Sequence, residues 1–112
     1  MKIIAISQRV DHHPKIGETR DALDRRLVQF CLKSGFLAVP VPNFSDSLEE
    51  GLGSAVQRWL ETVPFSGILL SGGNDIGSCS ERDTVEAALL QKAHDEIIPV
   101  LGICRGMQMM LK

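Results

Sequence analysis

Short apolar runs alternate along this chain with longer segments in which apolar residues recur every three or four positions. The runs are continuous rather than alternating, which is typical of parallel strands buried on both faces of a sheet. Pro40 and Pro42, at the end of the second run, have no backbone N–H to donate to a neighbouring strand. The second strand is therefore predicted to lie at the edge of the sheet. The pattern predicts four strands, over residues 2–7, 36–41, 67–71 and 99–103.

The segments between the strands carry the helical period. Gly35 follows the first of them, at the position where a helix C-cap usually has glycine. The apolar face of that helix comprises Leu23, Leu27, Phe30 and Cys31. The spacing predicts three helices, over residues 19–34, 48–63 and 83–97, whereas the polar residues 9–18 are predicted to form a loop.

Alternating strands and helices with short connections predict an α/β fold with a parallel sheet and helices on both of its faces. In such sheets the ligand site lies at the carboxyl ends of the strands. The length of 112 residues fits a single domain, and no repeat or linker divides it. Three segments occupy the strand ends here: Gln8-Arg9, Gly72-Gly73 and Cys104.

Cys104 lies in the segment Gly102-Ile103-Cys104-Arg105-Gly106-Met107-Gln108, directly after the last predicted strand. Glycines two residues before and after a central nucleophile are typical of a nucleophile elbow, where a strand and a helix crowd the turn. A helix N-terminus favours the thiolate, because its free N–H groups and its dipole stabilise negative charge. The alternative interpretation is a tight turn with a buried structural cysteine.

The elbow and the loop Leu70-Ser71-Gly72-Gly73-Asn74-Asp75 together resemble the class I glutamine amidotransferase-like superfamily. The stretch Arg82-Asp83-Thr84-Val85-Glu86, which lies between them in the family's order, indicates the γ-glutamyl hydrolase branch, peptidase C26. Synthetase-coupled members have Pro-Gly where this chain has Asn74-Asp75, which also favours the hydrolase branch. The segments Ser7-Gln8-Arg9-Val10 and Arg20-Asp21-Ala22-Leu23-Asp24 are most similar to γ-glutamyl-CDP-amidate hydrolases of capsule biosynthesis.

The resemblance implies a three-layer, flavodoxin-like architecture in which residues 1–112 are the N-terminal part of a single class I glutamine amidotransferase-like domain. It implies cysteine-dependent hydrolysis of a γ-glutamyl amide through a γ-glutamyl thioester, with no cofactor and no metal. In that scheme Cys104 is the nucleophile, and the backbone N–H groups of Gly73 and Arg105 stabilise the oxyanion. Gln108 and Arg82 contact the substrate.

Members of this family take the histidine and glutamate of their triad from a later strand and loop, and only eight residues follow Cys104. We therefore expect the family domain to continue past Lys112 and the 112 residues alone to be inactive. A sheet that ends at the strand before Cys104 would expose an apolar edge. Self-association, or pairing with a complementing C-terminal half, is the expected consequence.

A competing interpretation is a catalytically inactive half-domain that serves as a binding or assembly module. A polypeptide that continues into a strand and loop bearing the triad histidine and glutamate would favour the enzyme. A DJ-1-like cysteine protein fits less well, because Gly72-Gly73-Asn74-Asp75 and Gln108 indicate glutamyl-amide chemistry.

Composition excludes several classes of partner. The net charge is −2 and aromatic residues make up 4% of the chain. Neither a basic surface for phosphates nor aromatic side chains for base stacking therefore indicates binding to nucleic acid. No apolar run approaches the roughly 18 residues that indicate a membrane span. Three widely spaced cysteines do not form a disulfide framework, which predicts a cytoplasmic location. The expected partner is a small γ-glutamyl amide substrate.

Other residues with possible chemistry have simpler interpretations. Asp83 and Glu86 have the spacing of a capping box at the start of the third helix. Cys31 lies on an apolar helix face and is predicted to be part of the core, whereas Cys79 is predicted to be exposed near the site.

The three histidines show no arrangement expected of a metal site or of a triad base. His12 and His13 are adjacent in the predicted loop, which favours a solvated turn. His94 belongs to the helix before the last strand and is expected at the amino ends of the strands, away from the elbow.

Overall fold

The computed structural model describes residues 1–44, 55–73 and 79–103. Within those ranges the main sheet consists of parallel strands β1 (Lys2–Ile6), β4 (Phe36–Pro40), β5 (Gly67–Leu70) and β6 (Val100–Gly102). The helices are α1 (Arg25–Lys33), α2 (Ala55–Thr62) and α3 (Ser80–Glu96). A separate antiparallel ribbon, β2 (Arg9–His13) and β3 (Glu18–Ala22), lies between β1 and α1 in the chain.

The spatial order of the main sheet is β4-β1-β5-β6. Counted along the chain, these are the second, first, third and fourth strands of the sheet, which is the flavodoxin-like order. Ile6 of β1 pairs with Pro40 on one side and with Leu69 on the other, so β1 is fully enclosed by its neighbours. The order in which strands are added to the sheet reverses between β1 and β5. The predicted parallel α/β sheet is confirmed.

Helices cover both faces of the sheet and give it three layers. Alternate residues of β5 point to opposite faces, as the pleat requires. Leu69 joins Cys31 of α1 in one core cluster, so the prediction that Cys31 is a core residue is confirmed. Ile68 and Leu70 join the other cluster, which contains Val56 and Leu60 of α2 and Val85, Leu89 and Ala93 of α3.

The strand that carries Pro40 lies at an edge, as its prolines predicted. Leu37 on this strand is 46% exposed. Within the described ranges β6 is the opposite edge strand, and its Leu101 is 57% exposed. Both edges of the described sheet therefore present apolar side chains to solvent.

The polar segment 9–18 is not the loop that the sequence predicted. Residues from Arg9 to His13 pair with Glu18 to Ala22 in the hairpin β2–β3, and only the residues between them turn. The turn is closed by hydrogen bonds from the Ile16 N–H to the His13 carbonyl and from the Gly17 N–H to the Pro14 carbonyl, at 3.2 and 3.3 Å. The hairpin is an addition to the parallel sheet, at the carboxyl end of β1.

The first helix is shorter than predicted, because residues 19–22 belong to β3 instead. Asp24 caps it, with its Oδ1 accepting a hydrogen bond from the Arg26 N–H at 2.9 Å. At the other end Gly35 has φ +90° and donates its N–H to the Leu32 carbonyl at 3.1 Å, as predicted for the C-cap region.

The capping box predicted at Asp83 and Glu86 is wrong. Helix α3 begins at Ser80, three residues earlier, and its N-cap Cys79 makes no side-chain capping bond. Glu86 is therefore more than a turn inside the helix, where it is fully buried. The helix ends at Glu96, followed by Ile97 in the left-handed conformation at φ 55°.

The second predicted helix is described only from Ala55 to Thr62, and residues 48–54 of that prediction lie outside the described residues. The last predicted strand is confirmed with slightly shorter bounds, and its continuation into the predicted elbow from Cys104 onward also lies outside them. None of the helices in the described ranges has the length and apolar character needed to cross a bilayer.

Candidate active site

Three strands of the main sheet end side by side at the change of direction between β1 and β5. Ser7 follows β1 and Ser71 follows β5, while Ile103 after β6 donates its N–H to the Leu70 carbonyl at 2.9 Å. Flavodoxin-like sheets bind their ligands at this position. Ile103 is also the residue before Cys104 in the sequence, so the predicted nucleophile follows directly on the strand that reaches this place.

Two serines connect the ends of β1 and β5 below the surface. The Ser71 hydroxyl donates to the Ser7 carbonyl at 2.6 Å, and the Ser71 N–H donates to the Ser7 Oγ at 3.0 Å. The Ser7 hydroxyl in turn donates to Glu86 Oε2 at 2.6 Å. All three side chains are buried, and a buried polar group is tolerated when it is hydrogen-bonded in this way.

Arg82 completes this set, and Ser7, Ser71, Arg82 and Glu86 are called the buried polar network below. Arg82 Nη2 donates to the Ser71 carbonyl at 2.5 Å and to the Ser71 Oγ at 3.1 Å. Its Nη1 donates to the Gly72 carbonyl at 3.0 Å. Nη2 also lies 3.3 Å from Glu86 Oε2, and both side chains of this ion pair are 0% exposed.

Burial lowers the pKa of the Arg82 guanidinium, which nonetheless stays protonated because arginine titrates far above neutral pH. Removing one member of such a pair leaves an unpaired buried charge, at a cost of roughly 3–5 kcal/mol. Direct contact of Arg82 with a substrate, which the resemblance implies, stays a prediction. The guanidinium is buried, and both of its Nη atoms already donate to protein oxygens.

Gly73 lies immediately after the carbonyls that Arg82 holds. Its φ is +127°, a conformation that residues with a side chain rarely adopt. A Cβ at this position would lie 2.6 Å from the Arg9 Cβ and 2.7 Å from the Arg82 Nη1. Gly73 is therefore required by its backbone conformation and by the close approach of two arginines.

A cavity of about 400 Å³ adjoins this loop. It lies between the ends of β5 and β6 on one side and the β3–α1 connection on the other. Asp24 and Arg26 in its wall form an ion pair at 2.8 Å, and the hydrogen bonds from Arg26 hold the pKa of the Asp24 carboxyl at about 2. The cavity is lined by Arg9, Ala22, Leu23, Asp24, Arg26, Leu27, Ser71, Gly72 and Ile103.

The hairpin β2–β3 is fixed to the carboxyl edge of the sheet. Asp21 accepts hydrogen bonds from the N–H and the Nδ2 of Asn43, both at 3.0 Å. The Asn43 Nδ2 also donates to the Gln8 carbonyl at 3.1 Å. Asn43 thereby ties the hairpin to the end of β1 and to the segment after β4, so that Arg9 is held beside Gly73.

The two cysteines in the described ranges are both buried, Cys31 at 3% and Cys79 at 4% exposure. The prediction of an exposed Cys79 is wrong, because this residue is buried at the N-cap position of α3, with its thiol donating to Glu81 Oε2 at 3.0 Å. Burial raises the pKa of the Cys31 thiol. Burial raises the pKa of Cys79 as well, and the hydrogen bond to Glu81 adds to it.

We expect Cys104 to be the most reactive of the three thiols near neutral pH. The thiolate is the reactive form, so a raised pKa lowers the reactive fraction of Cys31 and Cys79 and moves their labelling to higher pH. Alkylation at a series of pH values, followed by peptide mapping, measures the three rates. Labelling of Cys31 as fast as that of Cys104 would contradict this expectation.

The three histidines belong to the hairpin and to α3. His12 belongs to β2, with its Nδ1 3.3 Å from the Thr19 hydroxyl across the hairpin. His94 is exposed in the last turn of α3, which leads to the amino end of β6, as predicted. The described residues contain no group of three or more side chains that could hold a metal ion.

The structure brings together two of the residues predicted for the site, Gly73 and Arg82. Cys104, Arg105 and Gln108 lie outside the described residues, so their roles stay predictions. The oxyanion role of Gly73 also stays a prediction, although its conformation agrees with it.

Sequence reasoning missed Ser7 and Glu86. The available signal for Glu86 was its spacing of four from Arg82, which places both on one face of a helix. Ser7 carried a weaker signal, as a small polar residue at the end of an apolar strand on the catalytic edge.

Comparison with known proteins adds two relatives. A glutamine amidotransferase-like protein of Rickettsia prowazekii is 29% identical over 104 residues, a match covering 80% of this chain and 34% of the relative. The gamma-glutamyl-CDP-amidate hydrolase of Campylobacter jejuni is 44% identical over 48 residues, covering 38% of this chain and 24% of the relative. The matches thus span about a third or less of the length of either relative.

The family model of peptidase C26 matches residues 2–111, nearly the whole chain. The three-layer parallel sheet and the glycine loop at its carboxyl edge agree with that match. The chain belongs to the peptidase C26 family.

Proposed function

We propose that the complete domain containing this chain hydrolyses a γ-glutamyl amide bond, with Cys104 as the nucleophile. The observation that carries the proposal is the conformation of Gly73. This residue has φ +127° and follows Ser71 and Gly72, which line one cavity together with Ile103, the residue before Cys104 in the sequence. A backbone N–H held by a rigid loop next to a nucleophile is suited to stabilise an oxyanion.

We propose the following course for the reaction. The Cys104 thiolate attacks the amide carbonyl, a carbon–sulfur bond forms, and the N–H groups of Gly73 and Arg105 donate to the developing oxyanion. The carbon–nitrogen bond then breaks, and the amine leaves with a proton from the acid–base histidine. Water, deprotonated by the same histidine, attacks the thioester and releases the γ-glutamyl carboxylate and the thiolate.

The histidine and its glutamate partner are proposed to come from the part of the domain that follows this chain, as the family resemblance implies. Gln108 is proposed to contact the glutamyl group. The cavity of about 400 Å³ beside Ile103 gives room for part of the substrate. Similarity to the Campylobacter gamma-glutamyl-CDP-amidate hydrolase supports a γ-glutamyl amidate as one such substrate. A place in capsule or surface-polysaccharide synthesis is what the family resemblance implies.

The proposal is tested by trapping the acyl-enzyme. Rapid acid quenching of the protein during turnover of γ-glutamyl p-nitroanilide should give a peptide that contains Cys104 and carries one glutamyl group. The α-glutamyl isomer serves as the control substrate and should give no adduct. Release of amine without any adduct on Cys104, or an adduct on Cys31 or Cys79 instead, would contradict the proposed nucleophile.

A further inference from the structure

The buried polar network ends on two backbone carbonyls, those of Ser71 and Gly72. Arg82 donates to both, through Nη2 at 2.5 Å and Nη1 at 3.0 Å. A planar guanidinium fixes two acceptors at once, whereas a point charge fixes only one. The two peptide units that lead into Gly73 are therefore held from below.

The second of these peptide units contains the Gly73 N–H. A peptide bond is planar, and the described residues contain no cis peptide bond, so the Gly72 carbonyl and the Gly73 N–H point in opposite directions. Because the carbonyl is directed at the Arg82 Nη1, the N–H is directed away from the buried guanidinium. A charged donor on the carbonyl also polarises the amide, which makes its N–H a stronger donor.

We propose that Arg82, supported by Glu86 and Ser7, is a positioning residue that sets the direction and the donor strength of the Gly73 N–H. This inference rests on the proposed function, in which that N–H stabilises the oxyanion. Glu86 holds Arg82 through the ion pair and holds Ser7 through the 2.6 Å hydrogen bond, and Ser7 fixes the Ser71 N–H. Each member thus acts on the loop from a fully buried position.

The test uses two substitutions with matched controls in the protein as its gene encodes it. Arg82→Lys keeps a positive charge beside Glu86 but replaces the planar fork by a single ammonium group. Ser7→Ala removes one oxygen and leaves the ion pair in place. The controls are Arg58→Lys on α2 and Ser66→Ala before β5, at exposed positions away from the loop.

Both substitutions should lower kcat for γ-glutamyl p-nitroanilide by about 10- to 100-fold, because a donor displaced by an ångström loses much of its effect. KM and the alkylation rate of Cys104 should match the wild type, since alkylation uses the thiolate and no oxyanion donor. Damage to the fold would instead accelerate labelling of the buried Cys31 and Cys79. An unchanged kcat in both folded variants would overturn the proposal.

The amide resonance of Gly73, measured by NMR on isotope-labelled protein, gives a readout that needs no turnover. It should shift in Arg82→Lys and Ser7→Ala and stay in place in both controls. A resonance that does not move in either variant would overturn the inference. If the wild type cleaves no γ-glutamyl amide, the proposed function fails, and the resonance still decides whether Arg82 orients this peptide unit.

Discussion

Replacing Cys104 by alanine is expected to reduce γ-glutamyl amide hydrolysis roughly 10⁴-fold or more, with the fold intact. Without the thiol no thioester forms, and the oxyanion donors and bound substrate account only for residual rate. The measurement is kcat/KM for γ-glutamyl p-nitroanilide, together with the thermal unfolding midpoint. Turnover by the Cys104→Ala protein at a rate near that of the wild type would remove the nucleophile assignment.

Cys31→Ala is the matched control for this substitution. It removes a thiol of the same type, which is buried in the core cluster between α1 and the sheet. It should lower the unfolding midpoint, because a buried group is lost, while leaving kcat/KM close to the wild-type value. The pair of variants separates the loss of a reactive thiol from the loss of a packed one.

Gly73→Ala is expected to lower kcat roughly 10²- to 10³-fold, which is the usual effect of losing one oxyanion donor. A methyl group here would lie 2.6 Å from the Arg9 Cβ and 2.7 Å from the Arg82 Nη1. The loop must move to relieve both contacts, and the φ of +127° also becomes unfavourable. Steady-state kinetics measure the loss, and KM should change much less than kcat.

Two other glycines provide controls for the conformational part of this effect. Gly17 at φ +67° and Gly35 at φ +90° also adopt left-handed conformations, but a Cβ at either would meet nothing within 4 Å. Alanine at these positions should therefore reduce stability modestly and leave kcat unchanged. If Gly73→Ala behaved like Gly35→Ala, the close approach of the arginines would have no part in positioning the loop.

The strands of the main sheet were predictable because burial on both faces leaves a strong signal in the sequence. Residues 2–6, for example, are nearly continuous apolar residues, and β1 lies between two neighbours. Gly35 and Pro40 marked a helix end and an edge strand through backbone chemistry that few other residues share. These features depend on local rules, and the structure confirms them.

The hairpin was missed because it has almost no apolar face. Val10 is buried at 3% exposure, whereas all of Glu18 to Asp21 are exposed. Alternation of apolar and polar residues is the signal for a half-buried strand, and an exposed ribbon does not produce it. Its stability comes instead from the ladder and from Asp21 bonding to Asn43, residues 22 positions apart.

The capping role of Glu86 was wrong, and the burial of Arg82 was not foreseen, for a related reason. Charged residues at the start of a helix usually face water, cap the helix or contact a ligand, and full burial of an arginine is rare. Ser7 is 79 positions from its partner Glu86, and Ser71 is 11 positions from its partner Arg82. No local sequence pattern therefore indicates these pairs. Only the packing of α3 against the ends of β1 and β5 makes the network visible.

The same long separations determine when the candidate site can form during folding. The hydrogen bonds from Ser7 to Glu86 and from Ser71 to Ser7 close chain segments of 79 and 64 residues, respectively. Contacts between distant residues lose loop-closure entropy before they add stability, so they form late. An early species with β1 and β4 paired around α1 would already have part of the core but no ordered Ser71–Gly73 loop. We therefore expect the oxyanion donor to be acquired only in the final folding step, so that no partly folded chain can cleave an amide.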